Sequence, residues 1–338
     1  MDLTTHYLGL ELRNPLVAGA GPLTAELDNI RRLEDAGVGA VVLPSIFEEQ
    51  IRQEQNLIDV FTNAGVDSYA EALSYFPAQA VYAMDPERYV DLVQRAVEAV
   101  DIPVVASLNG VTDQGWVDYA RRIEEAGASA IELNIYFIPS DLDLSGRDVE
   151  QRYLDVLKAV KATVKCPVSV KIGPYFSAIG HMALQLDAAG ADGLVLFNRF
   201  YEPDIDLARL ELMSDLELSK PYEIRLPLLW IAVLAGRTKA SLAASTGVDS
   251  IDEVVKYLLA GADVVMTTSS LLRHGVGHVS QILAELENWL AARGLDTLKT
   301  VRGRMSHRNI ADPTAFERAN YIKVLHTPRY SATAQLRR

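Results

Sequence analysis

Four times along this chain a helical spacing of apolar residues ends at an Ala-Gly pair and passes directly into an unbroken apolar run. The four stretches are EDAGVGAVVLPS from Glu34, EEAGASAIELNI from Glu124, DAAGADGLVLFN from Asp187 and LLAGADVVMTTS from Leu258. A glycine just past a helical stripe reads as a C-cap, and a short apolar run after it as a buried strand. The unit is clearest from Ser241 to Ser270. SLAAS is a strand and Thr246 to Ser250 has turn and N-cap chemistry. Ile251, Val254, Val255, Leu258 and Leu259 then share one helical face before VVM opens a second strand. Similar runs at NPLVAGAG, GAVVLPS, IPVVASLNG, AIELNIYF, CPVSVKIGPYF, GLVLFN, SLAAS and VVMTTS are each followed by an amphipathic stretch. Strict alternation of strand and helix predicts a parallel sheet with helices outside it. Eight units predict a (β/α)8 TIM barrel, with an open doubly wound sheet as the alternative.

Two insertions interrupt the rhythm. Residues 46–85 carry Tyr69, Tyr75, Phe76 and Tyr82, and residues 199–225 are acidic with Pro203 and Pro221. Loops this long are usually lids over a site, or surface hairpins packed by their own side chains. The expected barrel domain is 1–299. A basic tail, 300–338, follows with Arg302, Arg304, Arg308, Arg318, Lys323 and Arg329, and reads as solvated or as a subunit contact.

Composition narrows the function. A hydrophobic fraction of 49% and a formal net charge of -13 describe a globular chain whose surface repels nucleic acid. One cysteine, Cys166, forms no internal disulfide and cannot ligate an iron–sulfur cluster, and no metal centre is expected. No apolar run reaches the roughly 18 residues of a membrane span, and no cleavable leader is visible, so the expected location is the cytoplasm.

In a barrel, chemistry gathers at the C-terminal ends of the strands. The two last strands end in Ser245-Thr246-Gly247 and Thr267-Thr268-Ser269-Ser270, whose hydroxyls and backbone N–H groups beside helix starts suit a phosphate, or else cap the next helices. Lys171 lies within the apolar run SVKI, so it should meet an anion or an electron-rich ring, or pair with Glu132 on the preceding strand. Asn134 and Asn198 are amides suited to the edge of a heterocycle. Arg199 beside Asn198 either points to an anionic substrate or pairs with the acidic insertion, for instance Glu202 or Asp204.

NPLVAGAG, GAVVLPS, IELN, PVSVKIGPYF, GLVLFN, STGV and GADVVMTTS fall in the order and spacing of the dihydroorotate dehydrogenase family of flavin mononucleotide barrels, which the chain resembles from about Leu3 to Gly294. The resemblance implies FMN as cofactor. Gly19, Ala20 and Gly21 would lie against the flavin ring and Ser45 would contact it. Asn134, Asn198 and Lys171 would hold its edge, and Thr246, Gly247, Thr268 and Ser269 would cradle its phosphate. It also implies an oxidoreductase acting on CH-CH groups, as in pyrimidine biosynthesis, with a small-molecule substrate, a homodimer and an electron-transfer protein as a further partner.

The departures matter as much. Where the family has N-L-S-C-P-N or its serine variant, with Cys or Ser as base, this chain reads Asn134-Ile135-Tyr136-Phe137-Ile138-Pro139, and Pro44 stands where a lysine is expected. Phe137 takes no proton, so dihydroorotate oxidation should be crippled. The expected activity is hydride transfer between flavin and another small, anionic CH-CH substrate, with Lys171, Tyr136 as proton donor, and Arg199 as catalytic groups. The alternatives are a true dihydroorotate dehydrogenase with an unusual base, and a flavin redox relay without small-molecule turnover.

Overall fold

The computed structural model describes residues 1–48, 86–110, 116–200, 202–213 and 217–317, with Asn320 and Ile322. The strands are β1 (Thr5–Tyr7), β2 (Leu10–Leu12), β3 (Leu16–Ala18), β4 (Ala40–Phe47), β5 (Val104–Asn109), β6 (Ala130–Asn134), β7 (Val168–Ile172), β8 (Gly193–Leu196), β9 (Asp204–Asp206), β10 (Glu211–Met213), β11 (Ser241–Ala244) and β12 (Val264–Thr267). The α-helices are α1 (Leu27–Ala36), α2 (Pro86–Ala99), α3 (Trp116–Glu125), α4 (Gly146–Lys161), α5 (Ile179–Ala188), α6 (Arg225–Leu234), α7 (Ile251–Ala260), α8 (Ser269–His274) and α9 (His278–Ala291).

Strands β3 to β8, β11 and β12 close in chain order into one all-parallel barrel, with β12 paired back onto β3. That closure rules out the open doubly wound sheet. All eight apolar runs become barrel strands, and the Ala-Gly pairs cap helices where expected, with Gly37, Gly127, Gly190 and Gly261 at positive φ. Side chains alternate along each strand. Ile131 and Leu133 of β6 face the helical layer, whereas Ala130 packs with the barrel interior.

A hairpin that the sequence pattern did not reveal, β1 paired antiparallel with β2, closes the N-terminal end of the barrel. Its turn, Leu8-Gly9, has positive φ at both residues, as a two-residue hairpin turn requires. Tyr7, Leu8 and Leu12 pack in one cluster with Val17, Val42, Val105, Val195, Ala243 and Met266. Gly193 makes room for this plug. A Cβ there would lie 2.5 Å from Leu8 Cδ2 and 3.4 Å from Tyr7 Cε2.

Of the first insertion, only its opening residues, at the end of β4, are described. The remainder, with Tyr69, Tyr75, Phe76 and Tyr82, lies outside the described residues. The second insertion folds in part as the antiparallel hairpin β9–β10 and in part as a 3-10 turn at Pro221–Ile224. The tail does not simply run into solvent. Gly303 and Met305 donate backbone hydrogen bonds to Leu258 and Leu259, His307 donates to Ala232, and Arg302 pairs with Asp263. Arg318, Lys323 and Arg329 lie outside the described residues.

Gly193→Val should therefore lower stability by about 1–3 kcal/mol, the usual effect of overpacking a closed core. A urea midpoint equal to that of the wild type would show that the plug yields freely.

Candidate active site

Register brings the polar residues of the barrel into two layers. Ser45, Ser107, Glu132 and Ser169 are successive partners across β4 to β7, and Asn109, Asn134 and Lys171 form the next layer toward the C-terminal ends. The register of β4 shifts between Val42 and Ser45, which accommodates Pro44 within the strand. From this framework a run of side chains crosses the barrel mouth. Asn198 Nδ2 donates to Asn134 Oδ1 at 2.5 Å, Asn134 Nδ2 donates to Ser45 Oγ at 3.3 Å, and the Ser45 and Ser107 hydroxyls lie 2.7 Å apart. The structure thus joins Ser45, Asn134 and Asn198, which the sequence had proposed separately. It adds Ser107, whose inward position was signalled only by alternation in VVASLN.

Lys171 Nζ stands 3.6 Å from Glu132 Oε1, with the lysine side chain 12% and the glutamate side chain 1% exposed. Neither carboxylate oxygen of Glu132 accepts a hydrogen bond among the described residues. The ion pair foreseen for Lys171 therefore exists, and the ammonium still lies at the end of its strand. Burial, reinforced by the Glu132 charge, pushes the Tyr7 phenol well above its usual range, and burial does the same to Tyr89 and Tyr257.

The two proposed phosphate turns are joined by a residue that no pattern had marked. Ser219 Oγ accepts from Gly247 N at 3.2 Å and donates to Ser269 Oγ at 2.9 Å. Thr246 Oγ1 donates to Phe197 O at 3.2 Å. Thr268 packs into the bend of Gly19, Ala20 and Gly21, where a Cβ on Gly19 would lie 2.7 Å from Thr268 Oγ1 and one on Gly21 would lie 2.6 Å from Thr268 Cγ2.

The loops beyond the polar layer are aromatic. Tyr136 stacks on Phe200 with centroids 4.7 Å apart, and Tyr175 meets the Phe200 ring edge-on at 5.0 Å. The Arg152 guanidinium lies 4.3 Å above the Phe137 ring. Arg199 Nε pairs with Glu223 Oε1 at 3.2 Å. Its partner is thus in the acidic insertion as one reading held, but at the far end of it rather than at Glu202 or Asp204. Cys166 precedes β7 and so belongs to the opposite end of the barrel. Burial, with Glu124 beside it, pushes its thiol up to about 12. Among the described residues there is no cluster of three or more His, Cys, Asp or Glu that could hold a metal, and no helix long and apolar enough to cross a membrane.

Comparison with known proteins bears on this mouth of the barrel. The family model described as dihydroorotate dehydrogenase matches residues 2–290. The chain belongs to the dihydroorotate dehydrogenase family. A provisionally named dihydroorotate dehydrogenase A (fumarate) of Aeropyrum pernix is 29% identical, over 91% of this chain and 98% of that protein. The catalytic subunit of dihydroorotate dehydrogenase B (NAD(+)) of Pyrococcus abyssi is 26% identical, over 89% and 98%. The NAD-dependent dihydropyrimidine dehydrogenase subunit PreA of Escherichia coli K12 is 23% identical, over 95% and 80%. The chain is accordingly an oxidoreductase of the dihydroorotate dehydrogenase family, whose relatives are dehydrogenases of CH-CH groups.

Two outcomes follow for this family member. Lys171→Met should destabilise the fold by about 3–5 kcal/mol, because it leaves Glu132 buried without its counter-charge, and Lys171→Met/Glu132→Leu should recover most of that loss. Urea unfolding of the single and double variants checks this; an equal loss in both would mean that the pair is not coupled.

The buried phenols set the alkaline limit. Tyr153 is pushed by burial from its ordinary value near 10 up to about 12. Above pH 10 the unfolded chain therefore releases phenolic protons that the native state keeps, so stability is full below pH 10 and falls as pH rises through 10 to 12. The loss approaches about 1.4 kcal/mol per pH unit for each such tyrosine. Urea midpoints at pH 9 and pH 11 should differ accordingly, with tyrosinate absorbance appearing together with unfolding.

Proposed function

We propose that this chain is an FMN-dependent oxidoreductase that transfers hydride between flavin and a small CH-CH substrate other than dihydroorotate. The observation that carries the reading is the run of Asn198, Asn134, Ser45 and Ser107 beside Lys171, a polar surface held at the ends of otherwise apolar strands. Amide, hydroxyl and ammonium groups in that arrangement suit the donors and acceptors of a flavin ring. The bend of Gly19, Ala20 and Gly21 makes room for Thr268, and Ser219 engages Gly247 N and Ser269 Oγ, so the proposed flavin and phosphate roles of these residues and of Thr246 rest on the family resemblance. FMN, when bound, supplies the hydride acceptor or donor.

The residues of the chain divide the remaining work. Lys171, its charge balanced by Glu132, presents ammonium donors at the end of β7 that would stabilise negative charge developing nearby. Phe137 and Pro139 stand where the family places its base and an asparagine. Phe137, covered by Arg152, has no atom that accepts a proton. Cys166 does not replace it, since it lies at the other end of the barrel with a raised thiol. Tyr136, at the same loop and half-buried, is the proposed proton donor in the reductive direction. Arg199 is engaged by Glu223, which removes the main argument for an anionic substrate. A homodimer and a cytoplasmic location remain part of the proposal. The names of the relatives, which include a catalytic subunit and a subunit PreA, support an associated electron-transfer protein.

An anaerobic visible spectrum of the purified protein tests the reading. The expected result is a yellow protein that retains FMN and stays oxidised when dihydroorotate is added. Bleaching by dihydroorotate would identify an orthodox dehydrogenase with a substitute base, and a colourless protein that cannot be reconstituted would overturn the flavin assignment. Tyr136→Phe should keep the colour and lose about 100-fold or more in turnover with the true substrate, the usual contribution of a positioned acid.

A further inference from the structure

Just beyond the polar layer, the loops that follow β6, β7 and β8 line a half-open cavity of about 280 Å³. Phe137 and Pro139, Tyr175 and Phe176, and Phe200 line it from those three loops, over Val149 of α4. Among the described residues no charged or amide side chain contributes to the lining. Tyr153, which forms part of the floor, spends its hydroxyl on Ile135 O at 3.0 Å, so that it offers the cavity only its ring. Phe200 is held flat by Tyr136 and edge-on by Tyr175, and its place depends on Gly173, where a Cβ would lie 2.1 Å from Phe200 Cε2. Around the opening, Tyr175 is 68% and Ile138 49% exposed, apolar area left in water beside an apolar hollow.

The chemistry of that lining excludes a carboxylate as occupant. An anion would lose water against a lining of rings and aliphatic groups; Arg199 is already bound to Glu223, and the Arg152 guanidinium lies over the Phe137 ring rather than in the lining. A flat apolar group has the opposite balance. It gains the burial of both faces and the offset or edge contacts that rigid rings provide. Size is also informative: an apolar cavity of about 150 Å³ takes one benzene, so this one suits roughly two fused rings.

We propose that this cavity binds an uncharged, planar aromatic group of about two fused rings, carried by the substrate whose CH-CH bond reacts at the adjoining strand ends. The proposal rests on the reading of those strand ends as the reaction site, and it names the class of substrate that the site selects. Placement supports the link. The cavity begins three residues after Asn134, two after Lys171 and two after Asn198, on the same three strands that supply the polar surface.

The test is isothermal titration of the protein as purified with indole, and separately with indole-2-carboxylate. Indole should bind saturably at one site per chain. The carboxylate should bind at least about tenfold more weakly, a difference of about 1.4 kcal/mol. Val149→Trp, which fills the hollow, should weaken indole binding by a similar factor while the flavin colour is unchanged. No saturable indole binding, equal or tighter binding of the carboxylate, or undiminished binding by folded Val149→Trp would overturn the proposal. If that variant does not fold, the comparison of the two probes on the wild type decides alone. A yellow protein that ignores indole would refute the aromatic group and leave the flavin reading intact. A colourless protein that binds it as described would do the reverse.

Discussion

A carboxylate sealed inside the barrel constrains the chain above it. Glu132 is fully buried, its oxygens accept no hydrogen bond among the described residues, and its counter-charge is Lys171 one layer higher on the next strand. Desolvating an unpaired charge costs several kcal/mol, so Lys171 must point inward. That requirement fixes the register of β7 against β6, because a slip of one residue would turn the ammonium toward the helices. The same register aligns Asn134 with Lys171 and Asn109 with Asn134. A stability constraint and the geometry of the candidate site are therefore one constraint.

Below this layer the barrel is packed mainly with apolar side chains, and above it the mouth is divided between two chemistries. The plug of Tyr7, Leu8 and Leu12 keeps water from the N-terminal end, which lowers the local dielectric around Glu132 and strengthens its attraction to Lys171. At the other end, hydroxyls and amides run across the strand ends and aromatic rings occupy the loops beyond them. A ligand there meets polar groups whose positions are set by the sheet and apolar groups whose positions are set by loop packing. The first arrangement is set by the strands, and the second is where residues such as Phe137 and Pro139 can vary without disturbing the barrel.

Much of this was legible in the sequence, for reasons specific to each element. Strands buried on both faces are continuous apolar runs, and four of them follow glycine caps, so the barrel and its order could be read directly. Asn134 and Lys171 stood out because a polar residue inside such a run needs a partner. The β1–β2 hairpin was hidden because three-residue strands show too few alternations to register. The β9–β10 hairpin was hidden for the same reason, within a stretch marked chiefly by its acidity. Ser219 had no local signal, since its role comes from the path of the second insertion back over two turns far along the chain. Glu223 could not be preferred over Glu202 or Asp204 as the partner of Arg199, because that choice depends on how the insertion folds back.

The turn at Thr246-Gly247 shows how tightly one corner of the candidate site is held. Thr246 has φ 82, a left-handed conformation that a β-branched residue adopts at a cost on the order of 1–3 kcal/mol. Such a conformation persists only where the surroundings enforce it, and here four contacts do so. Thr246 Oγ1 donates to Phe197 O, and Tyr257 Oη donates to Thr246 O at 2.9 Å and reaches Ser245 O at 3.3 Å, while Ser219 holds Gly247 N. The contacts come from the residue after β8, from α7 and from the second insertion, so the turn is the point at which three separate parts of the chain agree. Relaxing Thr246 into an ordinary extended conformation would swing the backbone donors of this turn away from those at Thr268 and Ser269. The strain is thus the condition for keeping the two turns facing each other across Ser219, which bonds to both.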